Sequence, residues 1–309
     1  MLYAVRSEDR GRTVTPAQVT GYVRQAIDHL EKVVENPSGL TDVNLQYTLG
    51  RLYLRAGQAD KAIASLSRVV SENPGSVQAR VSLAQAFVGA RRLEDAISTL
   101  AEIVDDEPRV AGTLAQFQEQ AGRPAEAAES YTKAIAIAPN SRELKLRRVT
   151  ALVEAKAYAK AAEFAAQAQT QHPDDLRFSQ LRAHALVELG DLSGAITTLE
   201  AVAKVNPNDG TTQLSLADLY VRNNRRVEAE QLVRRLVTIE PKNADALNYL
   251  GYLLADRGQQ LDEAIRYVRR ALDIEPNNPN YLDSLGWAYF RRGDYAEAEK
   301  DRKSTRLNS

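Results

Sequence analysis

The sequence is dominated by a repeat that prolines mark at nearly constant spacing. Seven of the eleven prolines in the 309-residue chain share one register, and successive members lie 34, 31, 34, 34, 34 and 35 residues apart. The seven are Pro74, Pro108, Pro139, Pro173, Pro207, Pro241 and Pro276. The length alone is typical of about two globular domains, whereas a period of roughly 20–50 residues is typical of a stacked array. The fold must therefore accommodate this repeat.

Two further positions of each repeat carry small residues. An alanine lies twelve residues before every closing proline, and a position that is usually glycine or alanine lies twelve or thirteen residues before that alanine. The alanines are Ala62, Ala96, Ala127, Ala161, Ala195, Ala229, Ala264 and, without a proline after it, Ala298. The earlier positions are Gly50, Ala84, Ala115, Val149, Ala183, Ala217, Gly251 and Gly286. The pattern predicts two helices per repeat, A and B, whose backbones approach closely at these positions.

The boundaries of these helices are also marked in the sequence. Gly57, Gly190, Gly258 and Gly293 indicate the tight turn between helices A and B, where glycine adopts a positive φ at little cost. The closing proline ends helix B, because proline is not tolerated inside a helix. A single helix pair cannot bury both of its apolar faces, so neighbouring repeats must stack.

This pattern resembles the tetratricopeptide repeat family. The resemblance covers seven repeats over residues 43–278, and it implies an all-α fold, a right-handed α-solenoid of stacked helix-turn-helix repeats. It also implies a concave groove, lined by the A helices, that binds a protein or peptide and performs no chemistry. The sequence departs from the pattern at Arg148 and Val149, and the third repeat is three residues short before its A helix.

The two ends of the chain depart from the repeat pattern. Residues 1–42 are interpreted as a truncated repeat or a short natural cap, with a loop at residues 5–15 and a B helix at residues 21–34. Residues 279–300 begin an eighth repeat that is cut short. Residues 301–309 resemble a translated sequencing adapter, and we interpret them as an artefact; the alternative is a solvated basic tail.

Composition and motifs argue against several classes of function. A net charge of −1 does not favour a nucleic-acid partner, and the absence of cysteine excludes disulfides and thiolate metal sites. No apolar run is long enough to span a membrane. The sequence has no phosphate-binding glycine loop, no nucleophile elbow and no pair of histidines at metal-binding spacing. We therefore predict a protein without catalytic residues, cofactor or metal; the sequence leaves its oligomeric state open.

In this family, the residue after the small position of helix A faces the groove. This residue and its neighbours on the same face of the helix are the candidate binding residues. The groove is predicted to be mixed polar, and aromatic only near its C-terminal end. The candidate residues are Arg51, Arg55, Gln85, Asn248, Tyr249, Tyr252, Trp287 and Arg291. Tyrosine, tryptophan and arginine dominate binding hot spots. The alternative is that Tyr252 and Trp287 only pack between adjacent A helices. Paired arginines are interpreted as a solvated face balanced by nearby acids rather than as an anion-binding track.

Residues 246–300 resemble a subgroup of bacterial envelope repeat proteins that includes lipoprotein adaptors. This resemblance favours the periplasm or envelope over the cytoplasm. The predicted function is a bacterial scaffold or adaptor. The alternatives are the substrate-recognition arm of a larger enzyme and a protein of secretion or polysaccharide assembly.

Overall fold

The computed structural model describes residues 16–34 and 42–298, and the regular secondary structure in these ranges is entirely helical. The chain divides into an N-terminal half, residues 1–157, and a C-terminal half, residues 158–309. The helices of the N-terminal half are α1 (Pro16–Val34), α2 (Val43–Arg55), α3 (Ala59–Glu72), α4 (Val77–Gly89), α5 (Leu93–Ala101), α6 (Ala111–Gln120), α7 (Pro124–Ile137) and α8 (Arg142–Glu154). Those of the C-terminal half are α9 (Tyr158–Gln171), α10 (Leu176–Glu188), α11 (Leu192–Val205), α12 (Gly210–Arg222), α13 (Arg226–Ile239), α14 (Ala244–Arg257), α15 (Leu261–Ile274) and α16 (Pro279–Arg292), followed by helical residues 295–298.

The predicted all-α solenoid class is confirmed, because these helices follow one another in tandem as A and B pairs. The A helices are the even-numbered helices from α2 to α16, and each B helix follows its A helix. The first described helix, α1, extends from Pro16 to Val34 and includes the B helix predicted at residues 21–34. The predicted loop at residues 5–15 and the segment 301–309 lie outside the described residues. The division into repeats and the truncated end repeats therefore stay predictions.

The small residues lie where helices A and B meet. All seven alanines of the B helices from Ala62 to Ala264 are fully buried, and Val149, the one larger residue at the A position, is fully buried as well. A Cβ added to Gly251 would lie 2.8 Å from the main-chain oxygen of Ala264 and would also collide with Val268. The approach of the two helices is thus limited by backbone atoms, which cannot move aside as a flexible side chain can.

This joint generates a test of the packing. Replacing Gly251 by alanine is expected to lower the free energy of unfolding by about 1–3 kcal/mol, since the added methyl group overpacks a backbone contact. The equivalent Gly286 has the carbonyl oxygen of Ala298 as its nearest neighbour, 3.7 Å from an added Cβ. Gly286→Ala should therefore leave stability unchanged or raise it by up to about 1 kcal/mol through helix propensity. Denaturant unfolding of both variants measures the difference; equal effects would contradict the account.

In every repeat, one residue of the turn between helices A and B has a left-handed backbone conformation. Gly57, Gly190, Gly258 and Gly293 have φ values of 70°, 80°, 71° and 94°, which confirms the predicted turn glycines, and Gly122 belongs to the same set. Arg91, Lys156 and Asn224 occupy the equivalent position with φ values of 57–61°. The sequence did not reveal these three, because the left-handed conformation costs a side-chain-bearing residue only about 1–2 kcal/mol.

The third repeat differs from its prediction. Helix B ends two residues before the closing proline in most repeats, but α5 ends at Ala101, seven residues before Pro108. Pro108 instead begins a 3₁₀ turn, Pro108–Val110. This turn runs directly into α6, and the two together cover 13 residues, the same positions relative to Ala115 that α4 covers relative to Ala84. The three missing residues therefore come from the segment before the A helix, as the sequence predicts, and the first turn of the helix is 3₁₀ rather than α.

Long polar side chains satisfy the carbonyl groups of several closing prolines. The Nε of Arg80 donates to the carbonyl oxygen of Pro74 at 3.1 Å, and the Nε2 of Gln213 donates to that of Pro207 at 3.0 Å. Both donors lie four residues before the small residue of their A helix. The chain after helix B no longer has helical partners for its carbonyl groups, so such bonds fix the path into the next A helix. They also fix the orientation of the Gln213 amide.

Candidate protein-binding surface

The predicted binding positions in the N-terminal half lie on the exposed surface of the A helices. Arg51, Arg55 and Gln85 are all exposed. The Arg51 guanidinium lies 5.7 Å from the centre of the Tyr47 ring, a cation–π geometry that keeps the arginine over an aromatic face. Arg55 is in the last turn of α2, where a positive charge interacts favourably with the helix dipole. This surface is polar and cationic.

The C-terminal half presents a corresponding row on α10, α12 and α14. His184, Asp218 and Tyr252 follow the small residue of these three helices, and each is exposed; Tyr252 retains 40% of its surface. The His184 ring meets the edge of the Tyr158 ring at a centroid distance of 6.5 Å. Successive A helices therefore offer a titratable ring, a carboxylate and a phenol to solvent.

A cleft of about 450 Å³ separates α10 from α12 beside this row. Its polar wall is formed by His184, Ser215, Asp218 and Arg222, and apolar side chains such as Val187 form its floor. The cleft combines hydrogen-bond donors and acceptors with an apolar floor. That combination suits an extended polypeptide, whose backbone needs donors and acceptors while its side chains need apolar contacts.

Asn248 and Tyr249 lie on α14, the next A helix. Burial, followed by the negative charges of Asp218 and the Tyr252 phenolate and by a hydrogen bond to Asp218, raises the pKa of the Tyr249 phenol well above its ordinary value. The Oδ1 of Asn248 is buried and has no hydrogen-bond partner among the described residues. A buried acceptor without a donor is costly, so this oxygen is an unfavourable feature of the packing around α14.

Trp287 belongs to a second aromatic group at the end of α16. Its ring stacks on Phe290 with 5.6 Å between centroids, and Phe290 meets the edge of Tyr295 at the same distance. Trp287, Phe290 and Tyr295 are 37%, 50% and 65% exposed. They line an open cleft of about 450 Å³ together with Leu282. Phe290 and Tyr295 were not predicted: Phe290 lies three residues after Trp287 on the same helix, whereas Tyr295 follows the turn at Gly293.

Arg291 connects this group to α14. Its guanidinium lies 5.4 Å from the Trp287 ring centre, and its Nη1 donates to the main-chain oxygen of Asp256 at 2.6 Å. The aromatic candidates thus lie in two groups. Tyr249 interacts with Asp218 and Tyr252, whereas Trp287 stacks on Phe290. Tyr252 and Trp287 both pack partly and are both partly exposed, so neither lies wholly between helices.

Several of the paired arginines lie among acidic partners. Arg225 contacts Glu228 at 3.0 Å and Glu200 at 3.4 Å, and Arg234 contacts both Glu230 and Glu263 at 2.9 Å. Each arginine joins a residue of its own helix to one of a neighbouring repeat, which fits the balanced face that the sequence favoured. Exposed pairs of this kind contribute only about 0–1 kcal/mol each.

No group of three or more histidine or carboxylate side chains is arranged to hold a metal ion within residues 16–34 and 42–298. In the same part of the chain, no helix is long and apolar enough to cross a membrane.

Comparison with protein families gives a consistent result along the repeats. Models described as tetratricopeptide repeat match residues 53–117, 90–242, 214–279 and 260–301, which together cover most of the chain. The chain belongs to the tetratricopeptide repeat family. The resemblance inferred from the spacing of prolines and alanines is thereby confirmed at the level of the family.

Curated relatives of this tetratricopeptide repeat protein are longer than the chain. A TPR repeat-containing protein of Pseudomonas aeruginosa is 28% identical over 192 residues, which are 61% of this chain and 32% of the relative. Cellulose synthase operon protein C of Xanthomonas axonopodis pv. citri is 28% identical over 195 residues, 59% of this chain and 12% of the relative. The chain thus spans less than a third of the length of either protein.

Among solved structures, a chain of Naa15/Naa10 bound to HypK-THB aligns with a TM-score of 0.54 at 14% identity. The alignment covers 94% of the tetratricopeptide repeat chain and 56% of the other chain. At this identity the likeness shows a shared fold and nothing more.

The contact between Asp218 and Tyr249 gives a titration test. Asp218→Asn is expected to lower the pKa of the Tyr249 phenol, because a negative charge that opposes phenolate formation is removed, while burial keeps the pKa above its ordinary value of about 10. Asp283→Asn changes an exposed carboxylate of α16 that lines the other cleft and serves as the control. Nuclear magnetic resonance of labelled tyrosine side chains measures both. An unchanged Tyr249 pKa in Asp218→Asn would contradict the contact.

Proposed function

We propose that this tetratricopeptide repeat protein is a non-catalytic scaffold that binds an extended segment of a partner protein on the A helices of its C-terminal half. The row of His184, Asp218 and Tyr252 beside the cleft between α10 and α12 is the observation that carries the proposal. These side chains come from successive repeats, so their spacing follows the spacing of the A helices. A bound segment that crosses the helices meets one new set of contacts per repeat.

Each group in the row has a distinct part in this proposal. Tyr252 supplies apolar contact with a polar tip. Asp218 is held next to Tyr249 and attracts a basic side chain. Trp287, under Arg291, extends the contact toward the C-terminal end of the row. Arg51, Arg55 and Gln85 remain predicted contacts of the N-terminal half.

The proposal is tested with peptides that are selected from a random displayed library on the intact protein. Tyr252→Ala and Trp287→Ala should each weaken the selected peptides by about tenfold, the loss typical of an aromatic hot spot. Asp218→Arg should weaken them more, because it places a cation where the ligand's basic group binds. Asp273→Arg, at an exposed position of α15, is the matched control and should have no effect. Unchanged affinity in all three A-helix variants would contradict the proposal.

A scaffold of the bacterial envelope, including one for polysaccharide assembly, is the second candidate. The similarity to cellulose synthase operon protein C supports it, as does the resemblance of residues 246–300 to envelope repeat proteins. Fractionation of the source cells tests this candidate. Recovery with periplasm or membranes is expected, and recovery only with the cytosol would contradict it.

A further inference from the structure

A second cleft lies on the other side of α12 from the surface proposed above. It is formed by α11, α12 and α13 and has a volume of about 330 Å³. From α12 it takes Gln213, Leu216 and Tyr220, whereas Ser215, Asp218 and Arg222 line the cleft toward α10. At 100° per residue these two sets point to opposite sides of the helix. This second cleft is called the Gln213 cleft after one of its lining residues. It lies on the opposite side of α12 from the row of His184, Asp218 and Tyr252, which is called the A-helix row below.

Gln213, which lines the cleft, has a buried acceptor without a donor. Gln213 is only 6% exposed, and its Nε2 donates a hydrogen bond to the carbonyl oxygen of Pro207 at 3.0 Å. This bond fixes the amide so that its oxygen cannot exchange places with its nitrogen. The Oε1 has no hydrogen-bond partner among the described residues. Because this oxygen is not exposed to solvent, a ligand N–H group reaches it only when the surrounding side chains move apart. The hydrogen bond formed then offsets the cost of burying the oxygen without a partner.

The walls and mouth of the cleft are apolar. Leu216, Leu232 and Leu236 line the interior, and Ile239 stands at the mouth with 54% of its surface exposed. The volume is at the lower end of the range for ligand pockets, so it suits one large side chain rather than a cofactor. A suitable occupant is therefore a single flat apolar group with one donor.

The rim of the cleft is positively charged. Lys204 and Arg235 are exposed, and neither has a carboxylate within ion-pair distance in the described part of the chain. Glu200, the acidic residue of the rim, is already engaged: it accepts from the Tyr220 hydroxyl at 2.7 Å and contacts Arg225 at 3.4 Å. The two free cations favour a ligand with acidic residues on either side of the apolar group.

The first complete repeat contains an equivalent cleft that provides an internal comparison. Gln46 corresponds to Gln213, and Glu31 accepts from the Tyr53 hydroxyl at 2.6 Å as Glu200 does from Tyr220. There, however, Ser65 stands where the Gln213 cleft has Leu232, and Glu72 stands in place of Ile239. The same repeat geometry is thus present twice, but only the copy in the C-terminal half has an apolar wall and mouth.

We propose that the Gln213 cleft binds a tryptophan side chain within an acidic segment of a partner protein. The indole combines a large apolar surface with one N–H donor and no acceptor, which matches apolar walls around a single unpartnered oxygen. Acidic neighbours of the tryptophan reach Lys204 and Arg235 at the rim. This site adds a second contact surface to the proposed scaffold and does not depend on ligand binding by the A-helix row.

The probe is a blocked pentapeptide with tryptophan flanked by two acidic residues on each side, titrated into the intact protein. Nuclear magnetic resonance of the methyl groups of Leu232, Leu236 and Ile239 reports occupancy. A peptide with naphthylalanine in place of tryptophan lacks the donor and should bind about three- to tenfold more weakly. A peptide with lysines in place of the acidic residues should bind at least tenfold more weakly. A higher salt concentration should reduce the difference in affinity between the two peptides, because it screens the charges.

Protein variants locate the site. Ile239→Asp should abolish the methyl shifts, whereas Ile274→Asp, at the equivalent position of the next repeat and 44% exposed, should preserve them. Lys204→Glu combined with Arg235→Glu should weaken the acidic peptide by about tenfold or more. Tyr252→Ala should leave it unchanged, which separates this site from the A-helix row.

Three results would overturn the inference: no shifts at the cleft methyl groups, equal binding of the tryptophan and naphthylalanine peptides, or unchanged binding by Ile239→Asp. Binding that shifts residues of the A-helix row instead would overturn it as well, while supporting the function proposed above.

Discussion

The close approach of helix A to helix B at a small residue is the constraint on which the rest of the structure depends. At Gly251 the limit is set by the main-chain oxygen of Ala264, and at Gly50 by the side chain of Leu66, 2.6 Å from an added Cβ. The alanines on the B side are fully buried because they face this contact. The joint fixes the angle and distance within each helix pair. The left-handed turn residue and the closing proline then determine where the next pair begins.

Much of the fold was predictable because the same helix boundaries and close contacts recur at equivalent positions of successive repeats. The buried alanines, the turn glycines and the proline-terminated B helices all follow from spacing. The left-handed Arg91, Lys156 and Asn224 were not evident, because a moderate backbone strain leaves no mark on residue type. The early end of α5 was not predicted, because a three-residue deletion before helix A does not reveal that the preceding helix B also ends early.

The candidate sites were predictable only in part. The exposed positions on the A helices follow from helical periodicity, and the structure places Arg51, Gln85, Tyr252 and Trp287 at the surface. The neighbours of these residues depend on packing between repeats, which the sequence does not specify. Asp218 therefore emerged as the partner of Tyr249 only from the structure, and Phe290 as the partner of Trp287. The Gln213 cleft was missed entirely, since its floor and walls come from three helices.

The account gives the C-terminal half two chemically different surfaces that share α12. The A-helix row offers polar, charged and aromatic groups over several repeats, which suits an extended chain. The Gln213 cleft is small, apolar and rimmed by cations, which suits one anchoring side chain. A scaffold with two such surfaces holds its partners on opposite sides of the same helices, so the binding of one need not displace the other.

The central claim is that a partner segment lies across the A helices, and site-directed photocrosslinking tests it most directly. A photoreactive amino acid in place of Tyr252 on α14, with Thr197 on α11 as an exposed B-helix control, is illuminated in the presence of a peptide selected on the intact protein. The account predicts crosslinking from position 252 and none from position 197. Crosslinking from position 197 alone, or from neither position while the peptide is bound, would contradict it.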